Sequence, residues 1–169
     1  MLFRSAATGD LVIYASGDSK AIGTIKPVLA GFSRKTYDVG AFGNGSRMKF
    51  VANLLVAINN VASAEAMVLG MKAGLDMDKV VATISKGAAQ SWQMENRHAT
   101  MARGEFDFGF AVDWMRKDLG IAIAAAQSVG AQVPVAELVD QFYSEVQALG
   151  GQRWDTSSLI QRLRAQSAH

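Results

Sequence analysis

One long apolar segment, residues 46–73, constrains this chain more than any other feature. Gly43 and Gly45 precede it and permit a tight approach turn, and Ser46 can cap the first helical turn. The segment predicts a helix roughly 42 Å long at 1.5 Å per residue, closed by Gly74. We therefore predict that the rest of the chain is organised around this helix.

Two polar residues stand near the start of that helix. Lys49 and Asn53 are four residues apart, so they project from the same face. An ammonium and an amide near the N-terminal end of a largely buried helix could transfer a proton to or from a bound hydroxyl or carbonyl. A lysine in a first turn is also commonly a solvated surface residue whose stem lies on apolar neighbours. Spacing alone leaves both interpretations open.

Composition excludes several classes of protein. A chain of 169 residues is about one domain, and with 50% hydrophobic and 19% charged residues it is not disordered. A net charge of +2, with lysine and arginine scattered, gives little support for nucleic-acid binding. The chain has no cysteine and only two histidines, which excludes a disulfide scaffold and a thiolate or histidine-rich metal site. We expect no metal.

The apolar helix is short of what a membrane span needs. Its longest uncharged run, residues 50–64, has 15 residues and includes Asn53, Asn59 and Asn60, whereas a bilayer needs roughly 20. The first residues show no long apolar core or cleavage site, so no signal peptide is expected. We therefore expect a buried core helix, no membrane partner and a cytoplasmic protein.

The N-terminal part alternates strand and helix. Residues 11–15 predict a strand that turns at Gly17 and Asp18, residues 21–32 a helix containing Pro27, and residues 35–39 a second strand. Two strands are marginal as an independent sheet. We predict that residues 1–42 are an incomplete α/β remnant of a larger domain.

No further strand signal follows Gly45. Residues 105–110 alternate acidic and aromatic residues between glycines and predict an extended loop. The predicted fold class is mainly α, an all-helical bundle over residues 43–169 behind the α/β remnant. The predicted helices, with their caps, are 77–85 (Asp76 or Asp78), 92–102 (Ser91), 112–129, 134–149 (Pro134 in its first turn) and 158–165 (Thr156 or Ser157).

Two further groups of residues are open to more than one interpretation. Lys117 and Asp118 interrupt an apolar helix, and they form either a solvated stripe or part of a site. Phe106, Phe108 and Phe110 either fill the core or contact a cofactor. Neither group is decisive by itself.

Taken together and in order, these motifs resemble the β-hydroxyacid dehydrogenase family, which includes 3-hydroxyisobutyrate dehydrogenase and, more distantly, 6-phosphogluconate dehydrogenase. The resemblance covers nearly the whole chain, from about Gly9 through Pro134. It rests on Gly43-x-Gly45-x-x-x-Lys49-x-x-x-Asn53, Ala64-Glu65-Ala66, Gly74-Leu75-Asp76, the 106–110 segment and Lys117-Asp118-Leu119.

The resemblance implies a role for four residues. Lys49 matches the family's catalytic lysine, which takes the proton of the substrate hydroxyl as hydride leaves to the nicotinamide, and an active Lys49 should be partly desolvated. Asn53 matches the amide that hydrogen-bonds substrate, Lys117 a lysine that reaches the cofactor and Phe110 a residue near the nicotinamide. The implied cofactor is NAD or NADP, the substrate a small hydroxyacid or semialdehyde, and the assembly a homodimer or higher homo-oligomer through the helical domain.

One departure from the family pattern limits what the chain can do by itself. The expected strand–G-x-G-x-x-G–helix, which holds the cofactor pyrophosphate, is not in this sequence. We therefore expect the C-terminal part of a dehydrogenase that binds cofactor poorly and turns over little. The alternative is a helical dimerisation module with no activity of its own. A cofactor-free lyase or isomerase using Lys49 is disfavoured because no second acid or base stands in register.

Overall fold

The first compact unit is a small parallel α/β element. The computed structural model describes residues 7–166, which divide into two units between Ala52 and Asn53. In the first unit, β1 (Leu11–Ala15), α1 (Ser19–Leu29) and β2 (Ser33–Asp38) follow one another. β1 and β2 pair in parallel, a pairing that requires a crossover connection, and α1 supplies it. The predicted small α/β part is confirmed, with two parallel strands and one connecting helix among the described residues.

The limits of α1 differ from those predicted. Asp18 is its N-cap, and the Asp18 carboxylate accepts a hydrogen bond from the Ala21 N–H at 2.8 Å, so the helix begins two residues early. It ends at Leu29 and keeps Pro27 in its last turn. The Ser33 hydroxyl donates to the Leu29 carbonyl at 2.7 Å, which ties the start of β2 to the end of the helix.

The long helix α2 (Asn44–Lys72) begins at a glycine turn. Gly43 has a φ of +90°, and a Cβ on Gly45 would lie 2.5 Å from the Tyr14 carbonyl oxygen. Only glycine allows that approach, so the predicted turn is confirmed. The predicted cap at Ser46 is wrong, because α2 starts two residues earlier and Ser46 lies inside its first turn.

The second unit contains the rest of α2 and five further α-helices among the described residues. Gly74, at φ +75°, closes α2 as predicted, and the Leu75 N–H reaches the Gly70 carbonyl at 2.9 Å. Asp76 and Ser91 cap the next two helices as predicted. The helices are α3 (Met77–Ile84), α4 (Trp92–Arg103), α5 (Val112–Ser128), α6 (Pro134–Ala148) and α7 (Leu159–Gln166).

The C-terminal helix departs from the prediction in its cap. A 3₁₀ turn, Thr156–Ser158, precedes α7, and the capping side chain is Asp155, which accepts from the Ser157 N–H. Neither Thr156 nor Ser157 fills that role.

The mainly α fold class is confirmed. The predicted domain boundary at residues 42 and 43 falls in the loop before α2, whereas the compact units divide ten residues later, inside the helix.

α2 carries three uncharged polar residues inward. Asn53, Asn60 and Ser63 are buried, while Leu55 and Leu69 are 59% and 72% exposed. Contrary to the expectation from its 15-residue uncharged run, α2 is long and apolar enough to cross a membrane: an 18-residue window has a mean hydropathy of 1.5 and is 33% buried. A single helix of this kind is weak evidence for a membrane span, because mostly buried core helices of soluble proteins meet the same criterion. The buried apolar cluster of this unit comprises Ala57, Ala64, Met67, Met101, Phe106, Val112, Met115, Leu119, Val139, Tyr143, Val146, Leu159 and Ile160.

A buried polar network crosses this core. The Asn60 amide donates to the Thr156 hydroxyl at 3.1 Å and to the Tyr143 hydroxyl at 3.5 Å. The Tyr143 hydroxyl in turn donates to the Thr156 carbonyl at 3.1 Å. Burial raises the pKa of Tyr143, so its phenol stays neutral. The network joins α2, α6 and the segment before α7.

Candidate functional site

The predicted substrate residue Asn53 meets α5 through a single short hydrogen bond. Its side-chain amide, on a residue that is 6% exposed, donates to Asp118 Oδ2 at 2.7 Å. An amide carries its donor and its acceptor on opposite arms, so this bond determines which arm of Asn53 faces α5. A carboxylate partner makes the bond charge-assisted and stronger than one between neutral groups.

Asp118 also holds the predicted cofactor residue Lys117. The Lys117 ammonium lies 2.8 Å from Asp118 Oδ1, and the two side chains are 64% and 13% exposed. Each carboxylate oxygen of Asp118 therefore serves a different predicted site residue. The solvated-stripe interpretation fits the exposed Lys117 and is wrong for Asp118.

Phe110 lies two residues before the start of α5. Its ring centroid is 6.0 Å from that of Trp114, with the planes tilted by 49°. Trp114, Lys117 and Asp118 follow at helical spacing on one face of α5. Both predicted cofactor residues thus border the same helix face.

The other two phenylalanines of the 106–110 loop have different surroundings. Phe106 is 5% exposed and belongs to the core, 6.3 Å from the Trp154 ring. Phe108 is half-buried, and the Arg97 guanidinium lies 5.1 Å from its ring centroid. The core interpretation is confirmed for Phe106.

Lys49 occupies an exposed position on α2 in the first unit. The helix places it one turn before Asn53, about 6 Å along the axis. That the two side chains share a face follows from their four-residue spacing in one helix. Its catalytic role and its partial desolvation stay predictions.

Asp155 is a buried acidic residue that the sequence patterns did not single out. It is 2% exposed and accepts hydrogen bonds from the Phe110 N–H at 2.9 Å and from Arg97 Nε at 3.3 Å. The available signal was an acidic residue directly before the predicted caps Thr156 and Ser157, since aspartate is itself a preferred N-cap. Asp118 was noted in the sequence, but its link to Asn53 was not predicted.

The side chains around Lys117 suit one kind of ligand. The exposed Lys117 ammonium and the Phe110–Trp114 ring pair border one face of α5, so this face offers a cation and an aromatic surface. Those are the kinds of group that an anionic cofactor with a flat ring requires. Within residues 7–166, no group of three or more histidine, aspartate and glutamate side chains is placed to hold a metal ion.

Along the chain, a parallel βαβ unit is followed by helices that carry Asn53 and the Lys117–Asp118 pair, an arrangement that fits an oxidoreductase of the dehydrogenase type. The chain belongs to the 3-hydroxyisobutyrate dehydrogenase family: residues 43–163 match the family model described as "NAD-binding of NADP-dependent 3-hydroxyisobutyrate dehydrogenase". The family consists of NAD(P)-dependent hydroxyacid dehydrogenases, and its cofactor is NAD or NADP.

Curated relatives and solved structures agree with this assignment. An uncharacterized oxidoreductase of Shewanella frigidimarina is 52% identical, over 94% of this chain and 54% of that protein. The 2-(hydroxymethyl)glutarate dehydrogenase of Eubacterium barkeri is 34% identical, over 93% and 52%. The crystal structure of 3-hydroxyisobutyrate dehydrogenase from Salmonella typhimurium is 30% identical, with a TM-score of 0.82 over 94% of this chain and 56% of that one. The chain spans about half the length of the curated relatives it matches.

Proposed function

We propose that this chain is the substrate-binding and proton-transferring part of an NAD(P)-dependent oxidoreductase that acts on a small, 3-hydroxyisobutyrate-like β-hydroxyacid. The observation that carries the proposal is the Asp118 carboxylate, which binds Asn53 through one oxygen and Lys117 through the other. It ties the residue predicted to hold substrate to the residue predicted to hold cofactor. A dehydrogenase needs that proximity, because hydride passes directly between the two ligands.

Proton transfer falls to Lys49. In the oxidation, a neutral Lys49 amine accepts the proton of the substrate hydroxyl, while the bound nicotinamide supplies the hydride acceptor. In the reverse direction Lys49 returns that proton to the carbonyl oxygen. Asn53, one turn along α2, hydrogen-bonds the substrate with the amide group not engaged by Asp118. Lys49 is exposed on this chain. Its desolvation would therefore come from bound substrate and from a cofactor domain that covers it.

Lys117 and Phe110 would face the cofactor. Lys117 offers a cation to an anionic group, and Phe110 offers an apolar ring beside the nicotinamide. The sequence contains no G-x-G-x-x-G turn to hold the pyrophosphate. We therefore propose that the chain by itself binds NAD(P) weakly and shows little turnover.

The test is to join this chain to the N-terminal half of the Shewanella relative. That relative was chosen because the region of it that matches this chain is 52% identical. We expect the joined protein to reduce NAD or NADP with 3-hydroxyisobutyrate or a similar β-hydroxyacid, and the chain alone to show no measurable rate. Direct titration with NADH and NADPH gives the cofactor preference. A joined protein that binds NAD(P)H but oxidises no small β-hydroxyacid would contradict the proposal.

A second candidate function, homodimerisation, is favoured by the outward face of α2. Leu55, Ala62, Ala66 and Leu69 follow one another at helical spacing and are all exposed. An apolar stripe of this kind is typical of a surface that another helix covers. We propose that a second copy of the chain covers it across a two-fold axis.

The oligomeric state tests this second candidate. We expect a dimer at micromolar concentration by analytical ultracentrifugation, and a monomer when Leu55 and Leu69 are both changed to aspartate. Leu138→Asp is the matched control, because Leu138 is 46% exposed but belongs to a different helix, α6. A wild-type monomer at that concentration would exclude this dimer.

A further inference from the structure

A buried carboxylate holds the loop that carries Phe110. Asp155 is 2% exposed, and its two oxygens are used differently. Oδ1 accepts from the Ser157 N–H at 3.1 Å, the Ser157 hydroxyl at 2.7 Å and Arg97 Nε at 3.3 Å. Oδ2 accepts from the Phe110 N–H at 2.9 Å. One side chain therefore joins α4, the 106–110 loop and the segment before α7.

Main-chain hydrogen bonds hold the same loop at its first and last residues, Phe106 and Phe110. The Asp155 N–H donates to the Phe106 carbonyl and the Thr156 N–H donates to the Phe110 carbonyl, each at 2.9 Å. Between these two bonds Gly109 has a φ of +70°, and a Cβ there would overlap the Asp155 carboxylate. The loop therefore closes onto the carboxylate without room for a side chain.

The surroundings require a charged acceptor at this position. All four partners of the Asp155 side chain are donors, and one of them is a guanidinium. Arg97 is itself fixed between two rings, 4.6 Å from the Trp92 centroid and 5.1 Å from that of Phe108. An asparagine has the same shape but replaces one acceptor by an N–H₂ donor, which would face a donor whichever way it turned.

Asp155 acts at a distance from the ligands. Its Oδ2 bond ends on the Phe110 main chain, whereas the Phe110 ring packs beside Trp114 on the helix that carries Lys117. We propose that Asp155 is a positioning residue that fixes Phe110 relative to Lys117, and so determines how well the cofactor binds; this rests on the function proposed above. Because Asp155 works through Phe110, its removal should affect cofactor binding and leave substrate binding largely unchanged.

A double-mutant cycle tests this in the protein joined to its cofactor half. We expect Asp155→Asn to raise the KM for NAD(P) roughly tenfold and the KM for the hydroxyacid by much less. In a Phe110→Ala background the same change should add little, because the group it positions is gone. Asp140→Asn is the matched control: it replaces one acceptor of the two-bond pair with Arg116 (3.0 and 2.9 Å), leaves the bonds of Asp155 in place, and should leave the cofactor KM unchanged.

A structural readout on the 169-residue chain does not depend on activity. Hydrogen exchange by NMR should show a protected Phe110 amide in the wild type and faster exchange in Asp155→Asn. Ser157→Ala provides a milder variant if Asp155→Asn does not fold. It removes only the 2.7 Å bond to the carboxylate, and we expect the same cofactor-selective rise in KM, smaller in size.

Each outcome is decisive. A cofactor-selective rise in KM that disappears in the Phe110→Ala background supports the inference. A folded Asp155→Asn protein with unchanged cofactor KM, or with an equal additional loss in the Phe110→Ala background, overturns it while leaving the proposed function intact. A wild-type joined protein with no NAD(P)-dependent turnover overturns the proposed function, and with it the cofactor part of this inference.

Discussion

Lys49→Ala is expected to lower kcat about 10³-fold in the chain joined to a cofactor domain, because the alcohol proton then has no positioned acceptor. The KM for the hydroxyacid should change far less, since Asn53 and Asp118 remain in place. Lys49→Arg should be nearly as slow, because a guanidinium keeps the positive charge but does not give up its proton near neutral pH. Steady-state kinetics with single-turnover measurement of hydride transfer would separate chemistry from product release.

The matched control for Lys49 lies on the same helix. Lys72 is exposed in the last turn of α2, so Lys72→Ala removes the same side chain far from Asn53 and should retain wild-type kcat. If Lys49→Ala kept full activity, the proton-relay assignment would be wrong. If Lys49→Arg alone were active, Lys49 would act by its charge rather than as a relay.

Gly109→Ala is expected to destabilise the protein by about 3 kcal/mol. A methyl group at φ +70° costs about 1–2 kcal/mol, and forcing an atom into a packed position costs about 1–3 kcal/mol more. The added Cβ would overlap the buried Asp155 carboxylate, which cannot move without losing the Phe110, Ser157 and Arg97 hydrogen bonds. Urea unfolding followed by circular dichroism measures the loss.

Gly130→Ala separates the two contributions. Gly130 has nearly the same backbone conformation, φ +73°, but no atom lies within 4 Å of its added Cβ. This control should lose only the backbone cost of about 1–2 kcal/mol. Equal losses for the two variants would show that the carboxylate moves aside freely, contrary to a tight Asp155 contact.

The helices were predictable because their signals are local. Asp76 and Ser91 cap the helices that follow them, Gly74 and Gly104 end helices at positive φ, and Pro134 opens α6, each within a few residues of the element it marks. The two wrong caps, Ser46 and Thr156 or Ser157, failed for a related reason. In each case the neighbouring residues offered another start: α2 begins at the Gly43 turn, where the Arg47 N–H donates to the Gly43 carbonyl, and Asp155 caps the turn before α7.

The site was only partly predictable. The spacing of Lys49 and Asn53 comes from one helix, and the identity of Lys117 and Phe110 as candidates comes from the family resemblance. No local pattern shows that Asp118 reaches Asn53 across 65 residues. Asp118 could equally have faced solvent, because a lysine–aspartate pair on an apolar helix is compatible with an exposed stripe as well as with a buried site.

By itself, then, the sequence determined the order of the helices and strands and the mainly α class, because these depend on backbone preferences, and it predicted a shared face for Lys49 and Asn53 from the 3.6-residue period. Only the tertiary structure decided which polar side chains meet. Asp118 links Asn53 to Lys117, and Asp155 reaches Phe110 across 45 residues. These contacts depend on how α2, α5 and the segment before α7 pack in register, and a hydrogen bond requires donor and acceptor within about 3 Å. Such distances are set by the packed core, which no single segment encodes.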